Sequence, residues 1–88
     1  MADVVIYTTM MCPFCRKAKK LLQDKGAAFD EVDVTFNKTK RQHMTEMAGG
    51  DHKVPQIWIN GEHVGGCDEL LALESAGTLD GKLQGSAA

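Results

Sequence analysis

Residues 4–15 read Val4-Val5-Ile6-Tyr7-Thr8-Thr9-Met10-Met11-Cys12-Pro13-Phe14-Cys15. The run Val4–Tyr7 is short and apolar, the pattern of a buried strand. Pro13 suits the first position of a helix, because the N–H it lacks would have no partner there. Phe14, Ala18, Leu21 and Leu22 then recur at helical spacing, and Gly26 supplies a stop. The stretch is therefore a strand that runs into a helix over about Pro13–Lys25, with one cysteine at the helix mouth and a second a turn inside.

Working outward, Phe29–Val34 reads as a second strand. Two strands joined by a helix of this length form a right-handed parallel unit. Asn37 can cap a second helix that runs to about Ala48 and ends at Gly49-Gly50. Its apolar positions are sparse: Met44, Met47 and Ala48. Val54–Ile59 reads as a strand, Asn60-Gly61 as a tight hairpin turn, and Glu62–Val64 as the antiparallel return. After Gly65-Gly66, the residues Leu70, Leu71 and Leu73 describe a helix from near Cys67-Asp68 to Gly77. Leu79 and Leu83 are expected to dock one last turn. The order is βαβαββα in one domain over residues 1–84, with a flexible C-terminal tail at 85–88.

Composition narrows the function classes. The 88 residues allow one compact domain, with about 60% of the unfolded surface buried. A net charge of −2 gives no footing for nucleic acid or an anionic membrane. No apolar run approaches the ~18 residues of a membrane span. Met1-Ala2-Asp3-Val4 lacks the basic and long apolar stretches of a secretion signal, so a cytoplasmic location is expected. Three cysteines, an odd count, fit a disulfide-stapled secreted domain poorly. In a reducing compartment a close pair reads as redox-active or metal-binding.

The pair Cys12 and Cys15 has the geometry for redox work. Residues three apart on a helix lie roughly 5–6 Å apart, the Cα separation a disulfide needs. Free N–H groups and the helix dipole at the mouth favour a negative sulfur at Cys12. Such seats lower a cysteine pKa from ~8.5 to about 3.5–7.5, and each unit is about 1.4 kcal/mol. Cys12 is thus the nucleophile and leaving group, and Cys15 the resolving thiol. Arg16, Lys17, Lys19 and Lys20 follow, although the dipole rule prefers acidic residues in a first turn. They either lower the Cys12 pKa and attract an anionic reactant, or form a solvated helix face. A zinc half-site is the competing reading of the pair, but a structural zinc needs four ligands. The remaining candidates, Cys67, His43, His52 and His63, include no closely spaced pair, so no metal site is assigned.

Three motifs occur in order: the strand–Cys12-Pro13-Phe14-Cys15–helix opening, Val54-Pro55 before a strand, and Gly65-Gly66-Cys67-Asp68 before a helix. With them the chain resembles the glutaredoxins over about Val4–Leu83. The resemblance implies an α/β, thioredoxin-like fold, a four-stranded mixed sheet flanked by helices on both faces. It implies a glutathione-dependent thiol–disulfide oxidoreductase that reduces protein–glutathione mixed disulfides and protein disulfides. It matches Pro55 to a cis-proline and Val54 to the residue whose backbone pairs with the cysteinyl part of glutathione. Gly66, Cys67 and Asp68 match the site of its γ-glutamyl end, with N–H groups for the carboxylate and the Asp68 carboxylate for the ammonium group. Glutathione is then a co-substrate and no cofactor is tightly bound. The partners are glutathione and glutathionylated or disulfide-containing proteins, with no nucleic acid or membrane, and a monomer is expected.

Three positions depart from the family pattern. Thr9 stands where many relatives carry a lysine that helps hold the glycine carboxylate of glutathione. Phe14 stands for tyrosine, and Lys53 for threonine. Lys53 and Arg41 are expected to replace the missing charge. An iron–sulfur carrier is an alternative that Pro13 disfavours; a general thioredoxin is disfavoured by the absence of Gly-Pro between the cysteines. Elsewhere, Cys67 is read as a packing residue whose backbone does the binding, and Trp58 as core. Met10 and Met11 are either a soft apolar rim for protein substrates or strand-end packing. The histidines are assigned to the surface.

Overall fold

The structure is a computed structural model that describes residues 2–85. Residues 86–88 of the expected tail lie outside the described residues. The elements are β1 (Val4–Thr8), α1 (Pro13–Asp24), β2 (Asp30–Asp33), α2 (Lys38–Met47), β3 (Gln56–Ile59), β4 (Glu62–Gly65), α3 (Cys67–Ser75) and α4 (Leu79–Gln84). They make one four-stranded mixed sheet in the order β2-β1-β3-β4. β1 pairs parallel with β2 and antiparallel with β3, and β4 returns antiparallel along β3. This is the thioredoxin-like architecture expected from the resemblance. The expected last turn is a helix of its own, α4, six residues long.

Alternation along β1 sends Val4, Ile6 and Thr8 to one face. On that face α1 buries Cys15, Ala18 and Leu22, one stripe at helical spacing. Ile57 and Ile59 of β3, Leu70 of α3 and Leu79 of α4 complete the core. Full burial of each such aliphatic side chain contributes about 1.5–3 kcal/mol. Lys25, at the end of α1, reaches Glu74 at 2.7 Å and Asp80 at 2.9 Å and so ties α1 to α3 and α4. Both partners push the Lys25 pKa up, with the Glu74 hydrogen bond as the larger cause.

The alternation also corrects one expectation. Ile57 and Ile59 point inward, so Trp58 between them points to the opposite face and is only half-buried. There it packs edge-on against Tyr7 and tilts over His63, and with Met47 of α2 it lines a shallow apolar groove. Trp58 is therefore not a core residue. α2 itself buries little beyond Met44, as its sparse apolar pattern foretold.

Local chemistry fixes the ends of the elements. Asn37 caps α2 by accepting from the Lys40 N–H at 2.9 Å. Asn60 (φ 54°) and Gly61 (φ 79°) form the hairpin turn in left-handed backbone. The Asn60 side chain also accepts from the Asp3 N–H at 2.8 Å, which pins the hairpin to the start of β1. β3 starts at Gln56 rather than Val54, because Pro55 has no N–H to give to the ladder.

Candidate active site

β1 delivers the chain through Thr9–Met11 to Cys12, which is the N-cap of α1 in extended backbone (φ −125°, ψ 101°). Pro13 occupies the first helical position, as expected. The Cys12 sulfur accepts the Cys15 N–H at 3.1 Å, in the place where a serine or aspartate side chain ordinarily caps a helix. No acidic residue lies in the first turn of α1, and Arg16 and Lys17 follow. Helix dipole, direct hydrogen bond and nearby cations all favour a sulfur anion over a thiol. Cys12 and Cys15 are joined as a disulfide with Cα atoms 5.2 Å apart. Cys12 is 9% exposed and Cys15 1%, so an incoming reactant meets Cys12 first.

Val54–Pro55 is a cis peptide bond, and the Cys12 sulfur lies 3.9 Å from the Val54 carbonyl oxygen. From this point a groove runs between the 51–56 segment and the start of α3. Phe14, Lys53, Val54, Pro55, Gly66, Cys67 and Asp68, all singled out in the sequence, line it together. Arg41 does not join them: its Nε and Nη2 donate to the His52 carbonyl at 3.3 and 3.0 Å. It braces the backbone just before Lys53 from α2.

The floor of the groove is the mouth of α3. Gly66 is the N-cap, and no side chain caps the helix from that position. Glu69 reaches back instead, its Oε1 accepting the Gly66 N–H at 2.7 Å. Gly65 has φ 116°, and a Cβ there would lie 2.7 Å from Glu69 Oε1, so only glycine fits. A Cβ on Gly66 would press to 3.3 Å from the Pro55 carbonyl oxygen. Gly66 thus lets α3 start hard against Pro55, and Gly65 leaves room for the Glu69 side chain that caps it. Cys67, the first residue of α3, is buried, and burial pushes its thiol pKa up.

Asp51, Gln56 and Glu69 also line the groove and were not singled out in the sequence. Asp51 accepts the Lys53 N–H at 2.9 Å, which holds its carboxyl below the usual range and shapes the turn before Val54. Gln56, buried, donates to the Lys53 carbonyl at 2.9 Å and accepts from His63 Nε2 at 2.7 Å. An aspartate two residues before a turn N–H, and a glutamate three after a helix cap, are legible patterns for Asp51 and Glu69. Gln56 left no such signal, since its partners are a loop carbonyl and a neighbouring strand.

A reducible sulfur at a helix mouth, a buried second sulfur one turn in, and a cis-proline beside them on a thioredoxin-like sheet define a dithiol thiol–disulfide oxidoreductase. The family model described as Glutaredoxin matches residues 4–64. Glutaredoxin 3 of Escherichia coli K12 is 48% identical over 80 residues, 91% of this chain and 95% of that protein. A glutaredoxin of Pseudomonas aeruginosa is 52% identical over 83 residues, 94% of this chain and 98% of that one. The solution structure of a Brucella melitensis glutaredoxin superposes with a TM-score of 0.82 at 49% identity, covering 93% of this chain and 88% of that one. The chain belongs to the glutaredoxin family, the thiol–disulfide oxidoreductases that work with glutathione.

Proposed function

We propose that Cys12 is the attacking and leaving sulfur, Cys15 the resolving thiol, and the groove between the 51–56 segment and α3 the seat of glutathione. The observation that carries this reading is the Cys15 N–H on the Cys12 sulfur, with the less exposed Cys15 behind it. The Cys12 thiolate attacks the glutathione sulfur of a protein–glutathione mixed disulfide. The protein leaves as thiolate and takes a proton, and glutathione remains disulfide-bonded to Cys12. A second glutathione thiolate then attacks the bound glutathione sulfur, which releases glutathione disulfide and restores the Cys12 thiolate. In the dithiol route Cys15 attacks Cys12, expels reduced glutathione and closes the Cys12–Cys15 bridge, which two glutathiones reopen.

In the groove, the Val54 backbone pairs with the cysteinyl residue of glutathione. The Cys67 and Asp68 N–H groups at the mouth of α3 receive the γ-glutamyl carboxylate, and Gly66 gives them room. The Asp68 carboxylate takes the ammonium group, Lys53 faces the glycine carboxylate, and the Phe14 ring forms a wall. Arg41 acts on that carboxylate only through the backbone it braces. The protein works as one domain over residues 1–84, as a monomer in the cytoplasm, with glutathione as co-substrate and no tightly bound cofactor. The odd cysteine count supports a reducing compartment, and no helix among the described residues is long and apolar enough to cross a membrane.

The test is a glutathione-coupled assay on a small glutathione mixed disulfide. Cys12→Ser loses turnover, by about a thousandfold or more, because a hydroxyl cannot supply the anion. Cys15→Ser retains deglutathionylation and loses reduction of protein disulfides. If Cys15→Ser loses both activities, the division of roles is wrong.

A further inference from the structure

Side chains, not backbone, hold the segment that leads into Val54–Pro55. Among the described residues, no backbone–backbone hydrogen bond outside the helices and strands involves residues 51–55. Three side chains take that role. Arg41 donates to the His52 carbonyl at 3.0 Å, Asp51 accepts the Lys53 N–H at 2.9 Å, and Gln56 donates to the Lys53 carbonyl at 2.9 Å. Gln56 is the buried one of the three, 1% exposed, and it starts β3 directly after the cis bond. Its bond matters most for Val54, because the Lys53 carbonyl and the Val54 N–H belong to one planar peptide unit. A clamp on the carbonyl fixes where that N–H points.

A primary amide clamps a carbonyl only one way round. Turned over, Gln56 Oε1 would face the Lys53 carbonyl oxygen, and two acceptors would be left without a donor. The orientation is set from β4, where His63 Nε2 lies 2.7 Å from Gln56 Oε1. A protonated Nε2 is a donor in the neutral ring and in the cation alike. The His63 ring in turn tilts over Trp58, its cross-strand neighbour, with centroids 4.7 Å apart. We propose that His63 is a positioning residue for glutathione: by donating to Gln56 Oε1 it sets the amide that clamps the Lys53 carbonyl, and so aims the Val54 backbone at the cysteinyl residue of glutathione. The proposal rests on the reading of the groove as the seat of glutathione. It links a residue on β4, outside the groove lining, to the affinity of the groove.

The test compares His63→Phe, which keeps a ring on Trp58 and loses the donor, with His63→Gln, which loses the ring and keeps an N–H donor. His63 is exposed on β4, so both variants are expected to fold. Two quantities are read: KM and kcat with glutathione in the coupled assay, and the NMR order parameter of the Val54 N–H in the reduced protein without glutathione. His63→Phe should raise KM about fivefold, the scale of one net hydrogen bond, and keep kcat. Its Val54 order parameter should fall from about 0.85 toward 0.6. His63→Gln should stay within about twofold of wild type in KM and match its order parameter. An order parameter unchanged in His63→Phe overturns the proposal and leaves the groove reading standing. A lowered order parameter with an unchanged KM overturns the groove reading as well, since the segment is then held by His63 without seating glutathione. His63→Gln as impaired as His63→Phe, or a kcat that falls together with the thermal midpoint, assigns His63 to packing alone and also overturns the proposal.

Discussion

Two cysteines stand at helix mouths in this molecule, and their settings oppose each other. Cys12 is the N-cap of α1: its sulfur lies outside the first turn and takes an N–H at 3.1 Å. Cys67 is the first residue inside α3: its side chain turns into the core, and burial raises its pKa. A helix N-terminus therefore activates a thiol only when the sulfur itself sits where the free N–H groups point. One residue of register separates a nucleophile from a packing group. The mouth of α1 is filled by its own chain, with cations following; the mouth of α3 has no side-chain cap from Gly66 and opens on the groove. Under the proposed function, the same device serves a fixed anion in one place and a visiting one in the other.

Cys12→Ser has the largest expected effect, a loss of turnover of about a thousandfold or more in the glutathione-coupled assay. Next is Gly65→Ala. Its φ of 116° and the 2.7 Å approach to Glu69 displace the side chain that caps α3. The expected loss is ~2 kcal/mol, or roughly 8–15 °C in the thermal midpoint. An unchanged midpoint by calorimetry would mean that α3 does not depend on that close approach.

Lys53→Ala touches the groove without touching either helix. It should raise KM for glutathione by about two- to fivefold, the scale of one exposed charge pair, and leave kcat alone. Equal KM values for variant and wild type would remove Lys53 from the glycine carboxylate. Smallest is Glu31→Gln on β2, outside the groove. The Thr8 hydroxyl donates to the Glu31 carboxylate at 2.7 Å and Lys19 Nζ donates to it at 3.0 Å, and these hold its pKa below the ordinary value of 4.5, with the Thr8 bond the larger cause. A lowered folded pKa stabilises above the unfolded value and is lost as pH falls through the folded one. Wild type should exceed the variant by less than about 1 kcal/mol at pH 7, and the gap should close as pH drops below 4.5. A gap that persists at acid pH, in denaturant melts, would refute the charge-linked origin.

Much of this was legible in the residues, because the signals are local. Helical spacing after Pro13, the Asn37 cap and the Asn60-Gly61 turn each fix their own element. Six residues of the three motifs, Phe14, Val54, Pro55, Gly66, Cys67 and Asp68, line one groove together with Lys53. What escaped depends on distant partners. Arg41 lies on α2 as read, but its guanidinium finds a carbonyl eleven residues away. Trp58 was misread from its size, although alternation with Ile57 and Ile59 already put it on the other face. Phe36 is a single exposed apolar residue in a turn, so no periodicity marks it; the Thr35–Met10 hydrogen bond that ties this turn to the active-site loop left no local signal either.

The most direct test titrates the Cys12 sulfur in reduced Cys15→Ser protein, following thiolate absorbance against pH, with Cys67 as the internal contrast. A Cys12 pKa within about 3.5–7.5, well below that of Cys67, is the expected result. A Cys12 value near ~8.5, that of an ordinary free thiol, would contradict the claim that the mouth of α1 holds this sulfur as an anion.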